Sequence, residues 1–333
     1  MNARSQSPSF HRPPGVFFWL VWFVAITGGV VADQDLSAPA PPFHIAFSGS
    51  MFTDINVNDA KAALKAWSVT VAKERQINTD PEPLIVDDTR ELAGLLRSNR
   101  VDAVEMTVAE YATLSQVARF DPLFVASTKG QIAEEFVVLV HRDSPIKTLA
   151  DLQGRHLNLY AHYRAGLART WLDIELVQAG LPAVPEFLGQ LTPKAKLSQV
   201  ILPVFFRQVD ACLVTRSGFE IMTELNPQTG KQLKVIAESP GIVPAVFCFR
   251  ADVPEATKEP YIAGLRELHQ HASGQQVLTI FHREKLEEHP ASCLQSALEL
   301  VSTHRRLCEG TNPIQVATRQ PDLQPEGKEG PGK

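Results

Sequence analysis

Two apolar stretches roughly a hundred residues apart constrain this chain most. Residues 135–141 (EFVVLVH) and 243–250 (VPAVFCFR) each read as a fully buried strand, and no helix follows the first. Ahead of them, apolar strands at 43–47, 84–86 and 101–106 alternate with helical patterns through Trp67, Leu92 and Tyr111. Between them comes a second set, with strands read at 155–160, 184–188, 209–214 and 233–237. Strands that alternate with helices in this way form βαβ units around a mainly parallel sheet. A first set, a strand out, an inserted set and a strand back describe an α/β protein of two lobes joined by a two-strand hinge.

The expected division follows. Lobe 1 is discontinuous, 43–137 with 250–309, and lobe 2 with the hinge strands occupies 138–249. Everything after Arg250 reads as helix, starting at Pro254-Glu255. From 310 to 333 the chain is rich in Pro, Gly and charge with little to bury, which predicts a disordered tail.

At the other end, Arg4, His11 and Arg12 precede an apolar run at 16–26. Val30 and Ala32 then stand at −3 and −1 for cleavage after Ala32. That is the layout of a secretory signal peptide (1–32), followed by a Pro/Ala-rich spacer at 33–42. Retention as a membrane anchor is the alternative, although the run is shorter than the roughly 20 residues a spanning helix needs. The expected location is therefore periplasmic or otherwise extracytoplasmic. A net charge of −5, or −7 after cleavage removes two arginines, implies no general affinity for nucleic acid.

Four cysteines in an exported chain raise the question of disulfides. Cys293 and Cys308 bracket what reads as one continuous helix, roughly 22 Å apart at 1.5 Å per residue and too far to bridge. Cys212 and Cys248 sit in apolar strands, where a buried free thiol is expected. No disulfide framework, no metal-ligand spacing and no cofactor motif is read, and no nucleophile elbow suggests an enzyme.

Ligands of open α/β sheets bind beyond the carboxyl ends of the strands, so the loops that follow strands supply the candidates. In the first lobe these are Ser48, Ser50 and Thr107, with Tyr111 one turn further on. Their hydroxyls can bond a ligand oxygen or equally cap the next helix. In the second lobe they are Tyr160, His162, Tyr163 and Arg164, then Lys196 and Ser198, then Thr215 and Arg216. Cations at helix starts oppose the helix dipole, so Arg164, Lys196 and Arg216 there point to an anion that offsets the repulsion. The bland alternative is three side chains in solvent.

Residues 143–180 carry a family resemblance. A Ser144-Pro145 turn leads through Thr148-Leu149-Ala150-Asp151-Leu152 to Gly154, then to the strand at 155–160, a loop and a helix. The run Ser144–Gly154 resembles the turn that opens the second lobe of type II periplasmic solute-binding proteins, in particular the phosphate/phosphite/phosphonate-binding branch of ABC transporter receptors. The similarity extends at lower specificity from about 43 to 286. It implies the type II periplasmic-binding-protein fold, a small anionic ligand held between lobes that close about the hinge, and a membrane ABC permease as partner. A sensor kinase is the alternative partner, and an enzyme on the same scaffold the alternative activity. The protein is expected to act as a monomer.

Two departures from the family pattern stand out. Relatives use a Ser/Thr run where this chain has Arg164, Ala165, Gly166 and Leu167, and an acid where it has Thr215 beside Arg216. Glu134 and Glu135 remain as possible partners for a ligand amine. An acid bound by guanidinium groups and backbone amides fits what is left.

Overall fold

The computed structural model describes residues 42–53 and 55–308. The signal peptide, all but the last residue of the spacer, and the tail from 310 lie outside the described residues.

Strands β1 (Ile45–Ser48), β2 (Leu84–Val86), β3 (Ala103–Thr107) and β4 (Phe120–Ser127) build a first sheet. The chain then leaves it. Strands β5 (Phe136–His141), β6 (His156–Tyr160), β7 (Gln190–Lys194), β8 (Ala211–Thr215) and β9 (Leu233–Glu238) form a second sheet. Finally β10 (Ala245–Arg250) and β11 (Lys285–His289) return to the first. The strand orders are β11-β4-β10-β3-β1-β2 and β7-β6-β8-β5-β9.

Helices α1 (Val57–Arg75), α2 (Thr89–Arg97) and α3 (Val108–Leu114) connect the first strands. In the second set come α4 (Ala168–Gln178), α5 (Val184–Phe187), α6 (Leu197–Phe205), α7 (Arg216–Leu225) and α8 (Pro227–Gln232). After β10 follow α9 (Glu255–Arg266), α10 (Ala272–Ile280) and, beyond β11, α11 (Gln295–Cys308).

Local chemistry sets these boundaries. The Asn56 side chain accepts from the amides of Asn58 and Asp59 and starts α1, whose Ala60, Ala63, Leu64, Trp67 and Val71 are all buried on one face. Gln76 in the left-handed region ends it. Asp88 starts α2 in the same way, its side chain accepting from the Arg90 amide. Strand β5 is buried at every position, held antiparallel between β8 and β9. The βα strands pair parallel, as expected, and that character stops at the crossover strands: β10 runs against both β3 and β4, and β4 against β11.

Four expectations change. Residues 184–188, expected as a strand, form α5, with Pro185 in its first turn, and the strand is β7 just beyond. Strand β4 carries no alternation and was not anticipated. Strand β11 interrupts the helices after Arg250. Both β7 (QLTPK) and β11 (KLEEH) are sheet edges with polar outer sides, so they lack the apolar signature of a central strand. Finally, β10 belongs to the first sheet, so the connections between sheets are 128–135 and 239–244 rather than the two buried strands themselves. These connections pair with each other through reciprocal Glu134–Ile242 backbone bonds, both 2.9 Å.

One face of the first sheet packs on α1, α9 and α10 around Phe47, Phe124, Phe247, Phe249 and Phe281. Its other core, through α2 and α3, is continuous with the core of the second sheet. Helix α11 spans this junction, packing on both α3 and α4, and His304 Nε2 lies 3.1 Å from Asp173 Oδ2. Cys212 and Cys248 are buried thiols in β8 and β10, and Cys293 is part-buried in the turn before α11.

Candidate functional site

Between the sheets lies a cavity of about 400 Å³. Its walls come from β4, from both connections, from the start of α7 and from the chain entering β11. Apolar surface is supplied by Phe124, Val125, Ile132, Ala245, Phe247 and Leu286, and the polar part combines Thr128, Gln131, Tyr163 and Ser217 with eight charged residues. Lys129, Arg164, Arg216 and Arg283 are equalled in number by Glu105, Glu134, Glu135 and Glu220.

Of the residues expected at the site, the structure brings Tyr163, Arg164 and Arg216 to this cavity. Tyr163 follows β6 and, though rooted beside the second sheet, is buried in the phenylalanine cluster of the first. Its ring lies against two guanidinium groups, Arg164 at 5.7 Å and Arg283 at 5.6 Å from the centroid. The His162 ring accepts from the Arg164 amide at 3.2 Å and stacks between Tyr160 and Tyr163, which fixes the loop.

Arg164 spends all three of its nitrogens on the protein. Nε donates to the Tyr163 hydroxyl at 3.2 Å, Nη1 to Glu134 at 2.8 Å and Nη2 to the His282 carbonyl at 2.6 Å. Burial lowers its pKa, but Tyr163 and the Glu134 carboxylate more than offset that and leave it above the ordinary arginine value. Glu134, itself buried, also accepts from Ser217 Oγ at 2.6 Å. Arg216 is held by Glu135 and Glu238.

The remaining candidates have other work. Ser48, Ser50 and Thr107 converge on one carboxylate: Glu110 accepts from Ser48 Oγ at 2.5 Å, from Ser50 Oγ at 3.1 Å and from the Thr107 amide and hydroxyl at 2.9 and 2.8 Å. Glu110 is the third residue of α3, so this is a capping box extended to a second loop. Tyr111 is buried in the core against Phe120, and burial raises its phenol pKa. Thr215 caps α7 by accepting from the Gly218 amide. Lys196 and Ser198 are exposed at the start of α6 and do not line the cavity, because β7 ends at an edge of the second sheet.

Sequence reasoning missed Glu105 and Arg283. Glu105 is the middle residue of β3, 4 % exposed, in register between Phe47 and Phe247, with Phe124 next along the row. A carboxylate there is costly unless paired. Its partner is the Nη1 of Arg283, from the short link between α10 and β11. Arg283 is 8 % exposed and lies over the Phe281 ring at 5.1 Å, and its Nε has no hydrogen-bond partner. Burial would lower the Arg283 pKa, and Glu105 and Tyr163 hold it above the ordinary value instead. The signal in sequence was the single acid in AVEMT, a buried strand otherwise free of charge.

Two mixed sheets with an ion-lined cavity between them define a two-lobed binding protein. The family model described as "ABC transporter, phosphonate, periplasmic substrate-binding protein" matches residues 57–292, and the chain belongs to that family of extracytoplasmic solute-binding receptors for ABC importers. Among solved structures the chain is similar to the Xanthomonas citri protein XAC2383 bound to ATP, with a TM-score of 0.62, 18% identity and coverage of 82% of this chain and 100% of that one. A binding protein component of an ABC phosphonate transporter from Pseudomonas aeruginosa has a TM-score of 0.56, 15% identity and coverage of 83% and 91%. The protein PhnD1 from Prochlorococcus marinus, solved with methylphosphonate, has a TM-score of 0.55, 14% identity and coverage of 78% and 97%. These three share the fold. No curated protein sequence matches the chain.

Proposed function

We propose that this protein captures a small anionic solute in the cavity between its two sheets and passes it, chemically unchanged, to the permease of an ABC importer. The observation that carries the reading is Arg283, a buried guanidinium on the cavity wall paired with Glu105 and set over two aromatic rings. An acidic group of a ligand shares this cation with Glu105, through the charge-assisted hydrogen bonds that guanidinium groups make. Arg164 and Tyr163 join the sheets around the ligand, so closure of the lobes about 128–135 and 239–244 forms the site. The methylphosphonate of the Prochlorococcus relative makes phosphonates the first compounds to try, although the hydroxyl-bearing loop of the family pattern is replaced here by Arg164 and its neighbours.

The test is a thermal-shift screen of the protein, as a monomer, against phosphate, phosphonates, sulfonates and carboxylates. A ligand at about 100 times its dissociation constant stabilises by about 2.7 kcal/mol. Recovery of the bound compound unaltered, by mass spectrometry, supports a receptor, and turnover of it supports an enzyme. Co-purification of the loaded protein with a permease rather than a sensor kinase fixes the output. If no anion shifts the melting temperature, the reading fails.

A further inference from the structure

We propose that the solute is a singly charged organic acid with a substantial apolar body, its acid group on Arg283 and its body against Phe124, Phe247 and Leu286; this rests on the binding reading above and narrows it. Three observations support the assignment.

The first is size. At about 30 Å³ per water, a cavity of about 400 Å³ holds roughly a dozen waters, several times the space of a tetrahedral oxyanion. It falls within the range of about 300–1,000 Å³ that suits larger organic ligands. An inorganic ion would leave most of the apolar wall wet.

The second is the placement of charge. The buried pair Glu105–Arg283 lines both this cavity and a small apolar pocket behind it, of about 20 Å³ and edged by Leu64, Trp67, Leu265 and Phe281. The Arg283 guanidinium thus sits where apolar surface closes in from two sides.

The third is the local charge balance. Arg164 is committed to Glu134, Arg216 to Glu135 and Glu238, and Arg283 to Glu105. The four cations and four carboxylates of the wall already cancel, so every negative charge on the ligand adds repulsion from Glu105 and Glu134, and a second charge adds more. A monoanion therefore costs less to hold than a dianion.

Titration calorimetry with four probes separates the parts. Benzenesulfonate combines one charge with an apolar body, methanesulfonate keeps the head without the body, phenylphosphonate at a pH of double ionisation keeps the body with a second charge, and inorganic phosphate has neither feature. Benzenesulfonate is expected to bind tightest, by about tenfold or more over methanesulfonate, since a methylene-sized difference in an apolar pocket is already worth about that. Arg283→Gln is expected to lose the benzenesulfonate response. Methanesulfonate or phosphate binding as tightly as benzenesulfonate overturns the apolar body, and phenylphosphonate binding tighter overturns the single charge. Either result leaves the receptor reading standing. Retained tight binding in folded Arg283→Gln overturns the head-group assignment, and should that variant fail to fold, the probe series on the native protein decides alone. Silence from all four probes overturns both this inference and the binding reading.

Discussion

Arg164 Nη2 donates to the carbonyl oxygen of His282 at 2.6 Å, so a side chain set on the loop after β6 is anchored to the chain that leads into β11. The same guanidinium holds Glu134 on one of the two connections between sheets. One residue therefore ties three segments: the second sheet, the first sheet and the passage between them. Replacing Arg164 by Ala strands a buried carboxylate, and we expect a loss of about 3 kcal/mol in urea unfolding. The double variant Arg164→Met, Glu134→Leu should recover most of it, because removing both charges costs far less than removing one. Equal losses in the single and double variants would count against the tie.

Glu105 and Arg283 separate stability from binding. Converting the pair to apolar residues of similar shape, Glu105→Leu with Arg283→Met, is expected to leave the protein as stable as before or slightly more so, because a buried ion pair often fails to repay its desolvation. The same double variant should show no thermal shift with any anion that stabilises the native protein. A retained shift would place the ligand elsewhere.

Glu110 makes a prediction for the hydroxyl residues. Its carboxylate collects donors from Ser48, Ser50 and Thr107, so Glu110→Ala should destabilise by about 2 kcal/mol through the lost cap and the orphaned donors. Ser50→Ala should leave anion affinity unchanged in calorimetry. A large loss of affinity in that variant would return Ser50 to the site.

Asp252 carries a pH signature. The Arg250 guanidinium, buried at the end of β10, holds the Asp252 carboxyl below its usual value of 3.8. A carboxyl lowered in the folded state stabilises above its unfolded pKa, and that contribution disappears as the pH falls through the lower folded value. The stability gap between native protein and Asp252→Asn should therefore be full above about pH 4 and close on further acidification. High salt should shrink it at neutral pH, since Asp252 is largely exposed. A gap that widens in acid would contradict the assignment.

Thiol chemistry probes the cores. Burial pushes the Cys212 thiol far up, and Cys248 is raised by burial and by the nearby negative charge of Glu105. Only the thiolate reacts. In native protein at pH 8, mass spectrometry after alkylation should find Cys293 labelled before Cys212 and Cys248, which react only after unfolding. Early labelling of Cys248 would mean that the first sheet opens readily.

Much of the architecture was legible because buried strands announce themselves. Between Glu135 and His141 the chain has five apolar residues in a row, and that alone argued for a strand covered on both faces. Strand β7 was not legible for the complementary reason: Gln190–Lys194 is an edge with Pro193 inside it, and Val184 and Phe187 next to it are more apolar yet helical. The site was half legible. Arg164 and Arg216 were found by their position at helix starts, where a cation needs an explanation, but that explanation proved to be Glu134, Glu135 and Glu238. Arg283 escaped because nothing local marks it. Its partner lies 178 positions away, and the pairings of β3 with β10, β10 with β4 and β4 with β11 together bring the link before β11 beside Glu105.

The matched acids and bases of the cleft also bear on release. An empty cleft whose guanidinium groups already hold carboxylates is electrically quiet, and an arriving acid must compete with partners tethered in place. Its net gain is the difference between two similar contacts, so most of the grip has to come from the oily part of the guest. A carrier built this way lets go as soon as the walls part, with no stranded charge left to pull the cargo back.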